Sequence, residues 1–204
     1  MKIIIVFFSC LFFETSFSQP SLCLHDSSLL IWQKRAVKTS DFVYKTKGLA
    51  KYNNEKTEGL YAQIVTSIKH CFYLKNDTVY FSVFSVMNTL ESTTSIESLS
   101  KSDLKHEQLH FDITECFRRL CLKEALESNC QTETEVLNVL KRTAEKCDLF
   151  QSQYDKETKN GQDSSIQNNW NSKVTSLLKN TSEYYDLQFK IAKPEYKTIW
   201  KFIQ

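Results

Sequence analysis

The spacing of apolar residues along the chain changes near residue 100. Before it, apolar positions come in short runs and in alternation. Leu29, Leu30, Ile31 and Trp32 form one short run, and residues 61–74 and 78–87 are rich in Val, Ile, Phe, Tyr and Thr. Such β-branched and aromatic stretches predict strands, and Lys75-Asn76-Asp77 between the two longer ones predicts a hairpin turn. In the second of them Val79, Phe81 and Val83 fall on one face, with Tyr80, Ser82 and Phe84 on the other, so at least one side of the hairpin is buried. Residues 88–100 are rich in Ser and Thr and predict a loop, after which Ser102 or Asp103 can cap a helix.

After residue 100 the period becomes helical. Over residues 104–127, Leu109, Ile113, Cys116, Phe117 and Leu120 recur every three or four positions and define one buried face. Residues 133–154 repeat the pattern with Val136, Leu140, Ala144, Cys147 and Phe150. Residues 165–185 do so with Ile166, Trp170, Val174, Leu177 and Leu178. The polar stretch 156–164, centred on Asn160-Gly161, predicts a loop. Strands followed by helices predict an α+β domain, an antiparallel N-terminal hairpin packed on a helical C-terminal half.

Composition narrows the function. Lys and Arg number 26 against 24 Asp and Glu, with the signs interspersed, so no basic stripe is available for nucleic acid and no nucleic-acid partner is expected. Three glycines, at 48, 59 and 161, cannot build a clustered dinucleotide fingerprint or phosphate loop. The N-terminus reads as an address. Lys2 precedes an apolar run over residues 3–13, and Ser16-Phe17-Ser18 places small residues where a signal peptidase cuts, before Gln19. That run is short of the roughly 20 apolar residues that span a bilayer. Residues 1–18 are therefore expected to be a signal peptide and residues 19–204 a single exported domain with no membrane span.

Past the address six cysteines remain: Cys23, Cys71, Cys116, Cys121, Cys130 and Cys147. An even number in an oxidising compartment predicts disulfides, with the connectivity open. Cys116 and Cys121 are a disfavoured pair, because five residues along one helix point their side chains well apart. A structural zinc site built on closely spaced cysteines has no candidate spacing here.

The chemistry concentrates in Leu104-Lys105-His106-Glu107-Gln108-Leu109-His110-Phe111-Asp112-Ile113. On a helix His106 and His110 lie one turn apart and can reach one metal ion, while Glu107 stands beside them to hold a metal-bound water. This is the HExxH arrangement of zinc peptidases, in which Zn2+ acidifies its water and the glutamate takes the proton as a peptide carbonyl is attacked. The competing reading is a pair of buried, hydrogen-bonded core histidines. His25 and His70 have no metal-ligand spacing to neighbours. Tyr154 could polarise a carbonyl or simply pack, and Trp32, Trp170 and Trp200 suit the core or its rim.

The same segment, LKHEQLHFDI, resembles a bacterial family called domain of unknown function 922, whose members are predicted secreted zinc-dependent proteases and commonly read LKHEQGHFDI. Leu30-Ile31-Trp32, Ser40-Asp41-Phe42 and Tyr61-Ala62 resemble its earlier elements. Tyr154-Asp155-Lys156-Glu157-Thr158, Asn160-Gly161 and Trp170 resemble its second motif. The resemblance implies a zincin-like fold and a peptide or protein substrate. It also implies a third ligand in a His preceding Gly161, where this chain has Asn160, and a Gly where it has Leu109. Two histidines and one carboxylate are well precedented for catalytic zinc, so Glu157 and Asp155 are the nearest substitutes, with Glu157 preferred. The alternative is a relative that kept the fold and lost catalysis, acting as a disulfide-stabilised binding protein.

Overall fold

The computed structural model describes residues 26–45, 62–75, 78–186 and 188–191. The expected signal peptide, Cys23, His25, the Asn76-Asp77 turn and Trp200 lie outside them. The described residues form an α+β arrangement with strands mainly N-terminal and helices C-terminal.

The hairpin is the backbone of the larger sheet. Strands β4 (Thr66–Lys75) and β5 (Thr78–Asn88) pair antiparallel along their whole length. Strand β1 (Leu29–Ile31) and the late strand β7 (Gln188–Ile191) pair antiparallel with opposite ends of β5. A second, three-stranded sheet places β6 (Thr93–Thr94) between β2 (Val43–Tyr44) and β3 (Ala62–Gln63). Two expectations change here. The strand expected over residues 61–74 is broken at Ile64 and Val65, whose amides donate to side chains, Glu107 Oε2 at 3.0 Å and Ser92 Oγ at 2.9 Å, in place of ladder carbonyls. The Ser/Thr-rich loop contains β6, whose two buried threonines pair with β2 on one side and β3 on the other.

Helix α1 (Lys101–Glu127) lies between the large sheet and the other two helices, α2 (Glu133–Thr158) and α3 (Ser164–Asn180). Phe81 and Val83 of β5 pack with Cys121, Leu122 and Ala125, and Met87 packs with Phe111. On its other side α1 presents Leu109, Ile113, Cys116 and Phe117 to Cys147, Tyr154, Trp170 and Val174. Phe84 and Val86, on the opposite face of β5, are buried as well. A helix flanked on both sides has little solvent face, so its polar residues must find partners inside the protein.

Caps set the helix ends. Ser100, rather than Ser102 or Asp103, caps α1, and Asp103 closes a capping box with it through bonds of 3.1 and 2.9 Å. Helix α2 runs past Tyr154 to Thr158, and α3, capped by Asp163, stops at Asn180 short of the expected Tyr185. The early stop of α3 has a cause on α1. Arg118 draws the carbonyls of Tyr184, Tyr185 and Asp186 onto its guanidinium at 3.1 to 3.2 Å, which a continued helix would keep for itself.

Of the five cysteines among the described residues, one is disulfide-bonded and four are not. Cys116, Cys121, Cys130 and Cys147 are buried free thiols, while Cys71 on β4 is disulfide-bonded. Cys116 and Cys147 sit in the core between α1, α2 and α3, and Cys121 and Cys130 in the core against β5, where burial pushes the Cys116, Cys121 and Cys147 thiols up to about 12. Thiols so protonated are inert and serve as packing. Among the described residues no helix is long and apolar enough to cross a membrane.

Candidate metal centre

Helices α1 and α2 are antiparallel neighbours joined by a short turn, which brings the last turns of α2 beside the first turns of α1. The α2 positions 151, 154, 155 and 158 share one face by helical spacing, and that face meets His106 and His110. The result is a cluster of His106, His110 and Asp155 whose ligand atoms all lie within 4.8 Å of one another. His106 Nε2 and His110 Nε2 are 3.3 Å apart. Asp155 Oδ1 is 3.3 Å from the first and 2.8 Å from the second.

Those distances fit a metal. Bonds of 2.0–2.1 Å to a tetrahedral zinc place its ligands about 3.3–3.4 Å apart, which matches two of the three separations. The third is of hydrogen-bond length. The donor set of two imidazoles and one carboxylate is also one that catalytic zinc uses. Both histidines are nearly buried, whereas the Asp155 side chain is 41% exposed, so solvent reaches the cluster from the Asp155 side.

Glu157, the preferred third ligand, is placed elsewhere. Two residues beyond Asp155 on α2, it points about 200° around the helix. Its Oε2 accepts from Trp170 Nε1 at 2.8 Å and its Oε1 from Gln153 at 2.7 Å. Asp155, the other substitute, supplies the carboxylate. Asn160 is in the left-handed region (φ 54°), between Lys159 (φ 53°) and Gly161 (φ 81°), in the turn that ends α2. Leu109 fills space in the core with Ile113, Phe117 and Tyr154.

Glu107 is buried one residue along from His106, and its Oε2 accepts from the Ile64 amide, which ties the carboxylate to the end of β3. Burial pushes its carboxyl above the ordinary range, against the pull of His110 and His106. Burial would lower His110, but the Asp155 carboxylate and Glu107 outweigh it and hold His110 up at about 9. Asp155 in turn is held well below the usual carboxylate range by the two imidazoles, although burial opposes this.

Tyr154 packs. It is fully buried, its ring stacks on His106 at 4.7 Å and meets His110 edge-on at 4.8 Å, and its hydroxyl lies 3.2 Å from the His106 carbonyl and 2.8 Å from Gln167 Oε1. Trp170 backs Tyr154 at 5.3 Å. Trp32 donates to Asp112 at 2.7 Å, and His70 lies against Phe72 and Phe81 on the sheet.

Sequence reasoning passed over Gln151, Gln167 and the packing role of Gly161. Glutamines carry no spacing signature, but Gln151 sits four residues before Asp155, on the face that an extended α2 would have shown. Gly161 closes the turn against the His106 ring, and a Cβ there would come within 2.9 Å of His106 Cγ and 3.1 Å of Nδ1. Its positive φ is a second reason for glycine. A Gly161→Ala protein is expected to bind zinc about 10-fold or more weakly while its helix content is unchanged, because the ring must move aside. A zinc-competition titration beside a far-ultraviolet circular dichroism spectrum checks this, and unchanged affinity would show that the turn does not hold the ring.

No family model, curated protein or solved structure matches the chain.

Proposed function

We infer that this protein is an exported zinc-dependent peptidase of the kind predicted for the domain of unknown function 922 family that it resembles, with His106, His110 and Asp155 as metal ligands and Glu107 as general base. The observation that carries the reading is the convergence of three ligand atoms, two of their three separations at tetrahedral spacing, with the HExxH glutamate buried beside them. The zincin-like assignment rests on the same residues. Export rests on Lys2, the apolar run over residues 3–13 and the small residues before Gln19.

When bound, zinc supplies Lewis-acid polarisation of a carbonyl and a water acidified toward about 7. The chain's own residues do the rest. His106 and His110 offer Nε2 lone pairs, and Asp155 offers a charge at the solvent side where a peptide can enter. Glu107, raised by burial, is a stronger base than an exposed carboxylate, and its bond to the Ile64 amide holds it in one rotamer. Tyr154 and Trp170 form an apolar backing that keeps water from the rear of the imidazoles.

Proton competition gives the site a pH signature. Zinc needs His110 neutral, and His110 is held at about 9 in the metal-free protein. Apparent zinc affinity is therefore expected to climb by about tenfold per pH unit from near neutrality up to about 9 and then to flatten. In the metal-free protein the same shift has the opposite consequence. The stability that His110 contributes is full below its ordinary value of about 6.5 and is lost as pH rises through about 9. Zinc titrations at a series of pH values check the first slope, and a flat profile would remove His110 from the ligand set.

The reading as a whole is tested with a fluorogenic peptide library. Hydrolysis abolished by a chelator and restored by zinc is expected. Bound zinc with no hydrolysis of any member would favour the non-catalytic alternative, for which the engagement of Glu107 by Ile64 is the specific observation.

A further inference from the structure

The three α2 residues that meet His110 approach it from three sides. Asp155 faces Nε2, Tyr154 meets the ring plane, and Gln151 meets Nδ1 through its Oε1. The Gln151 amide has only one orientation open to it. Its Nε2 donates to the His110 carbonyl at 2.9 Å and lies 3.1 Å from Thr114 Oγ1. A main-chain carbonyl can only accept, so turning the amide over would set oxygen against oxygen. The atom presented to the imidazole is therefore an acceptor, and Nδ1 must carry a proton to meet it.

That leaves Nε2, which faces Asp155 and His106 Nε2, as the nitrogen whose proton a metal ion displaces. Thr114 closes the arrangement, since its hydroxyl is itself fixed, 3.1 Å from the His110 carbonyl and 2.7 Å from Thr66 Oγ1 on β4. Gln167 repeats the pattern at the second histidine, with Oε1 3.1 Å from His106 Nδ1 and Nε2 3.1 Å from Asn171 Oδ1. Both partners are neutral amides. They hold a proton on each Nδ1 without adding negative charge behind the rings, in contrast with the carboxylates that often fill this place.

We propose that Gln151 is a positioning residue for metal capture: it keeps a proton on His110 Nδ1, so that Nε2 is the nitrogen that gives up its proton and becomes the ligand atom. This rests on the metal reading of the site given above. A Gln has a second consequence here that an apolar residue of equal size lacks. It pins the His110 carbonyl, and with it the register of α1 against α2 at the cluster.

The test uses the unsubstituted protein and a Gln151→Met variant, which keeps side-chain length and removes the acceptor. Long-range proton–nitrogen correlation spectra of the zinc-loaded unsubstituted protein are expected to show His110 protonated at Nδ1 and metal-shifted at Nε2. In Gln151→Met, zinc affinity is expected to fall 10–100-fold, and the visible d–d absorption of the cobalt-substituted protein to shift, with helix content retained. Zinc bound through His110 Nδ1, or parent-like affinity and cobalt spectrum in Gln151→Met, would overturn the proposal and leave the metal site standing. An unsubstituted protein that takes up neither zinc nor cobalt would overturn both.

Discussion

A Glu107→Gln protein is expected to keep its zinc and its fold and to lose about 10²–10⁴-fold in kcat/KM on any peptide the parent cleaves. Glu107 is buried in the first turns of α1, between His106 and the end of β3. A glutamine there has the same shape, and its amide oxygen can still accept from the Ile64 amide. What disappears is a carboxylate that can take a proton, and burial has raised that carboxylate's basicity. The charge contributed to His110 disappears too, so proton competition for zinc should weaken slightly. Steady-state kinetics with zinc content measured on the same samples separate the two effects. Turnover equal to the parent's would mean that Glu107 is only a clamp for Ile64 and that the base lies elsewhere.

The second large effect concerns stability. Arg118 is fully buried with Glu115, and the two meet through Arg118 Nε and Nη2 at 2.8 Å each. Glu115 also accepts from Arg119 at 2.7 Å and from Ser85 at 3.0 Å, while Arg118 holds the carbonyls of Tyr184, Tyr185 and Asp186. One helix turn thus ties the central strand β5 to the segment after α3. Replacing Arg118 by Leu takes one of two arginines from the buried Glu115 and the donor from three carbonyls, and is expected to lower unfolding free energy by about 3 kcal/mol. Arg118 lies eight residues past His110, about 12 Å along the helix axis, so zinc affinity of the folded variant should be unchanged. Urea unfolding followed by circular dichroism gives the number. A loss below about 1 kcal/mol would mean that the network is replaceable by apolar packing.

Much of this architecture is legible in the sequence, and the gaps have physical reasons. The apolar period of α1 and the pairing of His106, Glu107 and His110 follow from helical spacing alone. The alternation over residues 79–84 marks β5, although it cannot show that both faces of the strand are buried. The choice between Asp155 and Glu157 needed the true end of α2. Residues 155–158 are all polar, so hydrophobic periodicity stops at Tyr154 while the helix continues to Thr158. With that last turn in place, Asp155 faces α1 and Glu157 turns to Trp170. Glu115, Arg118 and Arg119 read as surface charges by type, and only a helix flanked on both sides makes them internal. The cysteines misled for a related reason: their even number fits disulfides, yet four of the six are core thiols. The break at Ile64 and Val65 was hidden because side chains, rather than a change in β propensity, interrupt the ladder.

The central claim is that His106, His110 and Asp155 hold one zinc ion. It is tested most directly by zinc stoichiometry, measured by elemental mass spectrometry on the purified protein and on His106→Ala, Asp155→Ala and Glu157→Ala variants. The account predicts about one zinc per chain in the parent and in Glu157→Ala, and none retained through dialysis in the other two. Zinc lost in Glu157→Ala but kept in Asp155→Ala, or no zinc in the parent, would contradict it.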